Sequence, residues 1–211
     1  MPDPDSPALL ALDDPRLDLA DPSVATVVTW AREFLAAPHP DLGRTGNVCP
    51  FVGAALEKSS IFIAAHPGDP EIEEAIALMR AYRAQFAQLA QDAGRERVFL
   101  AVLVVFGDLA PSRYAEFIEG IQQRLKPEFM SEGHMIGEFH PGPPDRPGLW
   151  NPDFRPFHAP VPILAIRHMV AADVPFVTDS NVHLDLYLAR FGAEVPRHLA
   201  RRIAASQEGS S

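Results

Sequence analysis

Cysteine is nearly absent. Cys49 is the only one in 211 residues, which excludes an internal disulfide and any scaffold of clustered thiols. Long apolar runs are missing too: the longest, from Val98 to Phe106, falls well short of the ~18–20 residues of a membrane-spanning helix. No basic segment followed by an apolar stretch opens the chain, so a soluble, cytoplasmic protein with no membrane partner is expected. Basic residues are outnumbered, 18 Lys and Arg against 28 Asp and Glu, for a net charge of −10. That balance opposes nucleic-acid binding, which needs clustered cations to displace counterions from phosphates. Arg197, Arg201 and Arg202 are the nearest approach to a basic cluster and read as a solvated helix face.

Familiar signatures are also lacking. There is no Gly-x-Gly-x-x-Gly after a strand, no Gly-x-x-x-x-Gly-Lys-Ser/Thr and no Gly-x-Ser-x-Gly. Dinucleotide cofactors of the Rossmann type, P-loop nucleotides and α/β-hydrolase chemistry are thereby disfavoured.

Proline, by contrast, is abundant at 22 residues, and each one fixes φ and deletes a backbone donor. Residues 1–20, rich in Asp and Pro, are expected to form a flexible arm, 21–205 a single domain, and 206–211 a disordered tail. Asp21-Pro22 is a cap followed by a first-turn proline and predicts a helix carrying Val24, Val27, Val28, Phe34 and Leu35 up to Pro38. Ser60–Ala65 reads as a short strand. Asp69-Pro70 repeats the cap signature before a helix with Ile72, Ile76, Met79, Arg83 and Phe86 on one stripe, closed by Gly94. Val98–Phe106 reads as a central strand covered on both faces. Ser112 can cap a further helix that Lys126-Pro127 should stop.

Met135–Phe139 and Val161–Ile166 are the remaining strands, Asp179–Phe191 a helix and Arg197–Ala204 a short basic helix. The fold class is therefore α/β or α+β: one domain with a central mixed sheet flanked by helices and an ordered, proline-rich loop from His140 to Pro160.

Three groups of residues could carry chemistry. Cys49, in the stretch NVCPFVG, is either a small buried hydrophobe or a thiolate nucleophile or metal ligand; Gly43, Gly46 and Gly53 around it suggest a backbone shaped for close approach. In GHMIGEFH, strand geometry would project His134, Ile136, Glu138 and His140 from one face, either as a polar solvent face or as a two-histidine, one-carboxylate site for non-heme iron or zinc. Arg155, His158, Arg167 and His168 place four basic side chains around one strand entry, as ordinary ion-pair partners or as anchors for a carboxylate.

The stretches HPDLGRTGNVCPFVGAALEKSSIFIA, MIGEFHPGPPDRPGLWNPDF and VPILAIRHMVAADVPF resemble an uncharacterised domain family of actinobacterial proteins. More loosely, the order Cys49, Phe51, Gly53, Ala55, Lys58, strand, long helix, strand, Gly137-Glu138 is similar to the YqcI/YcgG-type proteins, some of which are heme-dependent enzymes that hydroxylate a nitrogen of arginine in natural-product pathways. Here Pro50 follows the cysteine rather than preceding it, and Phe139 stands where that type carries a proline.

The resemblance implies heme b, with Cys49 or His168, or else His158, as axial ligand and Phe51 nearby, an oxygenase acting on a small amine or guanidine such as an amino acid, an electron donor as partner, and room for a homodimer. In that scheme Arg155 and Arg167 hold propionates or a substrate carboxylate, Glu138 meets the substrate cation, and Trp150, Phe154 and Phe157 wall the pocket. The alternatives are the non-heme metalloenzyme and a non-catalytic ligand-binding or partner protein that uses the proline-rich loop.

Overall fold

In the computed structural model, residues 8–142 and 148–195 are described. Five strands, β1 (Leu10–Ala11), β2 (Ile61–Ala65), β3 (Ala101–Val105), β4 (His134–Phe139) and β5 (Ile163–His168), form one mixed sheet in the order β1-β2-β3-β5-β4. Only β2 and β3 run parallel, joined through the long helix α3 (Ile72–Ala93); the other pairs are antiparallel. The chain is thus a mixed α/β domain. No helix among the described residues is long and apolar enough to cross a membrane.

Helix α1 (Pro22–Trp30) starts where the cap signature puts it. Asp21 Oδ1 accepts from the backbone N–H groups of Ser23 at 2.8 Å and Val24 at 3.3 Å, and Pro22 occupies the first turn. The chain continues into a π-helical turn, Ala31–Leu35. Val24, Val27 and Trp30 pack there against Ile61, Ile63, Leu103 and Val105, one face of the sheet. The other face carries the larger core, in which Ile76, Met79, Tyr82 and Phe86 of α3 meet Val102, Val104, Leu164 and Ile166. Four fully buried side chains of this helix correspond to ~6–12 kcal/mol of transfer free energy at ~1.5–3 kcal/mol each, before entropy is counted.

Several expectations need correction. The second cap signature is displaced: α3 begins at Ile72 with Glu71 as its cap, because Asp69 is engaged by the Arg113 guanidinium instead. Arg83 leaves the apolar stripe and lays its guanidinium over Phe129, 5.5 Å from the ring centre, while Tyr82 is the residue buried. Val98 and Phe99 belong to a 3-10 turn, Gly94–Phe99, so β3 is shorter than its apolar run. Ser112 caps nothing. It lies within a 3-10 turn, Pro111–Arg113, that leads through a π turn, Ala115–Glu119, into α4 (Gly120–Ser131).

Helix α4 runs straight through Pro127, giving up one backbone hydrogen bond, because Leu125, Phe129 and Met130 on either side are buried. Lys126, expected at a helix end, is 1% exposed and reaches Asp179 at 3.2 Å. β5 starts two residues later than its apolar run and extends to His168. The N-terminal arm is partly built in: Leu10 and Ala11 pair with Ile63 and Phe62, and Leu12 is 5% exposed. The Arg197–Ala204 helix and the 206–211 tail lie outside the described residues.

β4 is an edge strand, and its outer rim is not left open. Gln122 of α4 donates from Nε2 to the Ile136 carbonyl at 3.2 Å, filling an acceptor that another strand would otherwise recruit. A third cluster, Met130, Met135, Met169, Val174, Leu184 and Tyr187, seats α5 (Asn181–Phe191) against α4 and the 3-10 turn Ala171–Phe176.

Candidate functional site

β5 has a strand on each side, yet only one of its faces is sealed. On the α3 side Leu164 and Ile166 are fully buried, as are Val102 and Val104 opposite them. On the other side Ala165 and Arg167 keep intermediate exposure, and so do Ala101 on β3 and Gly137 on β4. The register lines these up: Ala165 lies between Leu103 and Gly137, and Arg167 between Ala101 and Met135. Small residues on adjacent strands thus leave a half-exposed strip, the trough, on this face of the sheet.

Aromatic side chains wall the trough. Phe139 lies 5.6 Å from both Trp30 and Phe157, and Phe157 lies 6.0 Å from Phe176. A Cβ on Gly137 would come within 3.0 Å of the Phe139 ring, so glycine lets that ring lean across the floor. Val52, in the short helix α2 (Val52–Glu57), and Phe99 pack half-buried on the same apolar cluster.

Cys49 sits on the loop between the π turn and α2, half-buried and free of any disulfide. The Cys49 N–H donates to the Leu35 carbonyl at 2.9 Å, and the Arg44 guanidinium gathers the carbonyls of Thr45, Asn47 and Val48. The close approach that the neighbouring glycines permit is made by the chain itself. Gly43, at φ 75°, leaves room for the Trp150 backbone, which comes within 2.8 Å of where a Cβ would stand, and Asn151 Nδ2 donates to the Asp41 carbonyl at 2.8 Å.

Arg167 closes one end of the trough. Its guanidinium takes both oxygens of Asp173, at 2.7 and 2.9 Å, and the His168 carbonyl at 2.8 Å, and it lies over Phe176. Burial works against its charge, but the Asp173 carboxylate and, further off, the Cys49 sulfur hold its pKa above the ordinary value. Arg167 is a filled bidentate site rather than a free anchor for a propionate or substrate carboxylate.

A separate open cleft of about 510 Å³ lies between the π turn and the proline-rich loop, lined by Phe34, His39, Asn151, Phe154, Arg155 and His158. Phe154 stacks on Phe34 at 6.3 Å and tilts against His39 at 5.2 Å. Arg155 turns its guanidinium back onto the Pro152 carbonyl at 2.6 Å. Trp150 is 55% exposed and walls nothing. Phe51 is half-buried at the start of α2.

The remaining candidates lie on the opposite face of the sheet. His134, Ile136, Glu138 and His140 do share a face, but it is a buried one, at 6, 1, 2 and 2% exposure, and not a solvent face. Along an extended strand His134 and His140 are about 20 Å apart, at ~3.3 Å per residue. Among the described residues no three His, Cys, Asp or Glu converge to hold a metal, so the proposed two-histidine, one-carboxylate site does not form. His140 instead meets Glu119 at 3.0 Å through Nε2 and the Pro141 carbonyl at 3.0 Å through Nδ1.

His168 is directly opposite His134 on the ladder, with ring centres 5.2 Å apart and both rings against Phe86. Burial and then the positive charge of neighbouring side chains push His134 down to about 4; burial and then Arg97 lower His168 as well. Cys49 and His168 therefore address opposite faces, and Glu138 is on the His168 side. What sequence reasoning missed is the trough: Ala101, Gly137 and Ala165 have no chemistry of their own and become a feature only through strand register. Trp30, Phe139 and Phe176 stand in no motif and give no signal of their own in the sequence.

A family model, Domain of unknown function (DUF6875), matches residues 24–202. The chain belongs to this family. No curated protein and no solved structure matches it. The matched span of the DUF6875 chain takes in the Cys49 loop, the trough and the proline-rich loop.

Proposed function

We propose that this DUF6875 protein is a heme-dependent oxygenase acting on a small amine or guanidine compound, with Cys49 as the iron ligand. One observation supports the reading: a half-exposed strip on central strands, formed by Ala101, Gly137 and Ala165, with a chain of aromatic rings beside it, in a protein whose one cysteine, Cys49, is a half-buried free thiol on the loop before α2. A heme is a broad, flat, mostly apolar disc, and a floor of small residues with aromatic edges suits it better than it suits a compact polar ligand. Cys49 and the Phe139–Phe157–Phe176 wall would hold such a group; bound, it supplies the iron that activates oxygen, and a thiolate ligand favours O–O cleavage.

Within this reading His168 is not the ligand, because its ring belongs to the opposite face. Arg167, paired with Asp173, would act by holding the 171–176 turn, and with it Phe176, against β5. In the neighbouring cleft Asp41 and Asp153 would face the substrate cation, with His158 and Arg155 on the same lining.

The test is the visible spectrum of the unmodified protein as purified and after hemin addition. A Soret band that shifts in Cys49→Ser, and a carbon monoxide complex absorbing at the long-wavelength position of thiolate-ligated heme, are expected. A colourless protein that takes up no hemin defeats the proposal. A second reading, a recognition protein without catalysis, is favoured by exposed Leu149 and Trp150, at 43 and 55%, on a loop pinned to residue 41. It predicts an unchanged melting temperature with hemin and a loss of partner capture in Trp150→Ala.

A further inference from the structure

Away from both the trough and the aromatic cleft, a cavity of about 260 Å³ opens between β1, the π turn, α2 and the start of β2. Its floor is apolar, from Leu12, Ala55, Leu56 and Ile61. Its polar lining is Arg32, Asp13 and Ser59, and the Ser59 hydroxyl donates to Asp13 Oδ2 at 2.5 Å. Ser59 is the one non-glycine residue with positive φ, 51°, among the described residues. Such a conformation is unfavourable for a residue with a side chain and persists where the surroundings impose it.

Arg32 is the informative group. The chain carries a net charge of −10, and the guanidinium groups of Arg16, Arg80, Arg113, Arg124 and Arg167 are each matched to a carboxylate; Arg32, Arg95 and Arg97 have no ion pair among the described residues, and of these three Arg32 is the one that lines this cavity. Arg32 makes no ion pair and no hydrogen bond among the described residues, although it lines a cavity. It is displayed by a π turn, Ala31–Leu35, a geometry that is concentrated at functional sites.

We propose that this cavity binds a small amphipathic monocarboxylate, its carboxylate forked by Arg32 and its hydrocarbon part on the Leu12–Ala55–Leu56–Ile61 floor. A guanidinium is the side chain suited to bidentate carboxylate recognition. The volume lies just below the ~300–1,000 Å³ of ordinary ligand pockets, which at interior packing density suits a ligand of roughly eight to ten non-hydrogen atoms. Asp13, in the same lining, adds a negative charge that disfavours a dicarboxylate relative to a monocarboxylate. The site is independent of the heme reading, since none of its lining residues belongs to the trough.

The experiment is calorimetric titration of the full chain with hexanoate, adipate and 1-hexanol. Hexanoate should bind one to one with a Kd of about 0.1–1 mM, and Arg32→Gln should weaken it about tenfold while leaving the melting temperature unchanged, because the side chain is exposed and unpaired. Arg32→Lys should recover part of the loss. Adipate or hexanol binding as tightly as hexanoate, equal binding by Arg32→Gln, or no heat up to about 10 mM hexanoate would each overturn the proposal.

Discussion

His134 and His168 face each other across β4 and β5 with their rings on Phe86, and this placement has a pH consequence. The imidazole of His134 is held neutral by burial and by surrounding positive charge, with its pKa pushed down to about 4 from an ordinary value near 6.5. The unfolded chain therefore binds this proton more readily than the folded one between about pH 6.5 and 4. Stability is whole above that window and falls as the pH drops through it, by up to ~3 kcal/mol for a shift of this size. His168 acts in the same direction. Carboxylates held low by partners, such as Glu128 beside Arg80, lose their contribution only at lower pH. Urea unfolding at pH 7.5 and 5 should show a marked loss in the wild type and a smaller one in His134→Phe, whose ring keeps the contact with Phe86. Equal losses would mean that the acid response originates elsewhere.

Elements, rather than residues, determine which sequence signals could be read. Caps and apolar stripes act locally, so α1, α3, β2 and β4 were legible to within a few residues. The signals that failed were overridden by tertiary packing: Asp69 is taken by Arg113, and the Pro127 stop yields to the burial of the flanking Leu125, Phe129 and Met130. The arm failed for the same reason. Its composition says loose, but Leu12 finds a place beside Ile61 and Ile63. Leu12→Ala should cost ~2–3 kcal/mol as a buried large-to-small change. Removing residues 1–13 uncovers the β2 rim, an unpaired edge that should self-associate; sedimentation velocity should then show dimers or larger species.

At the other side of the sheet, Asp173 ties the 171–176 turn to β5 through Arg167 and also accepts from the Val170 N–H at 2.8 Å. Asp173→Ala leaves a cation and an amide unpaired. The expected loss is about 2–3 kcal/mol by chemical denaturation, below the ~3–5 typical of a fully buried pair because 34% of the Arg167 side chain stays in solvent. Asp173→Asn, which keeps a hydrogen-bond acceptor, should cost less.

Over the whole molecule the sheet is asymmetric, and this is the property that sequence could not disclose. Strand order and register decide that Ala101, Gly137 and Ala165 adjoin, and neither can be obtained from the periodicity of single strands. The α3 face is complete, so stability does not depend on what covers the trough. That separation can be tested with one substitution. Ala165→Leu adds apolar volume where half-exposed space already exists, next to Phe139, Leu103 and Gly137, so it should hold the melting temperature level or raise it by a few degrees. A closed core at the same position would respond oppositely, since overpacking costs ~1–3 kcal/mol. If the trough is the cofactor seat, the same variant also loses hemin uptake while folding normally. A protein that is stable but no longer binds hemin separates the site from the scaffold; a destabilised one means that this face is packed core and the trough is not a binding surface.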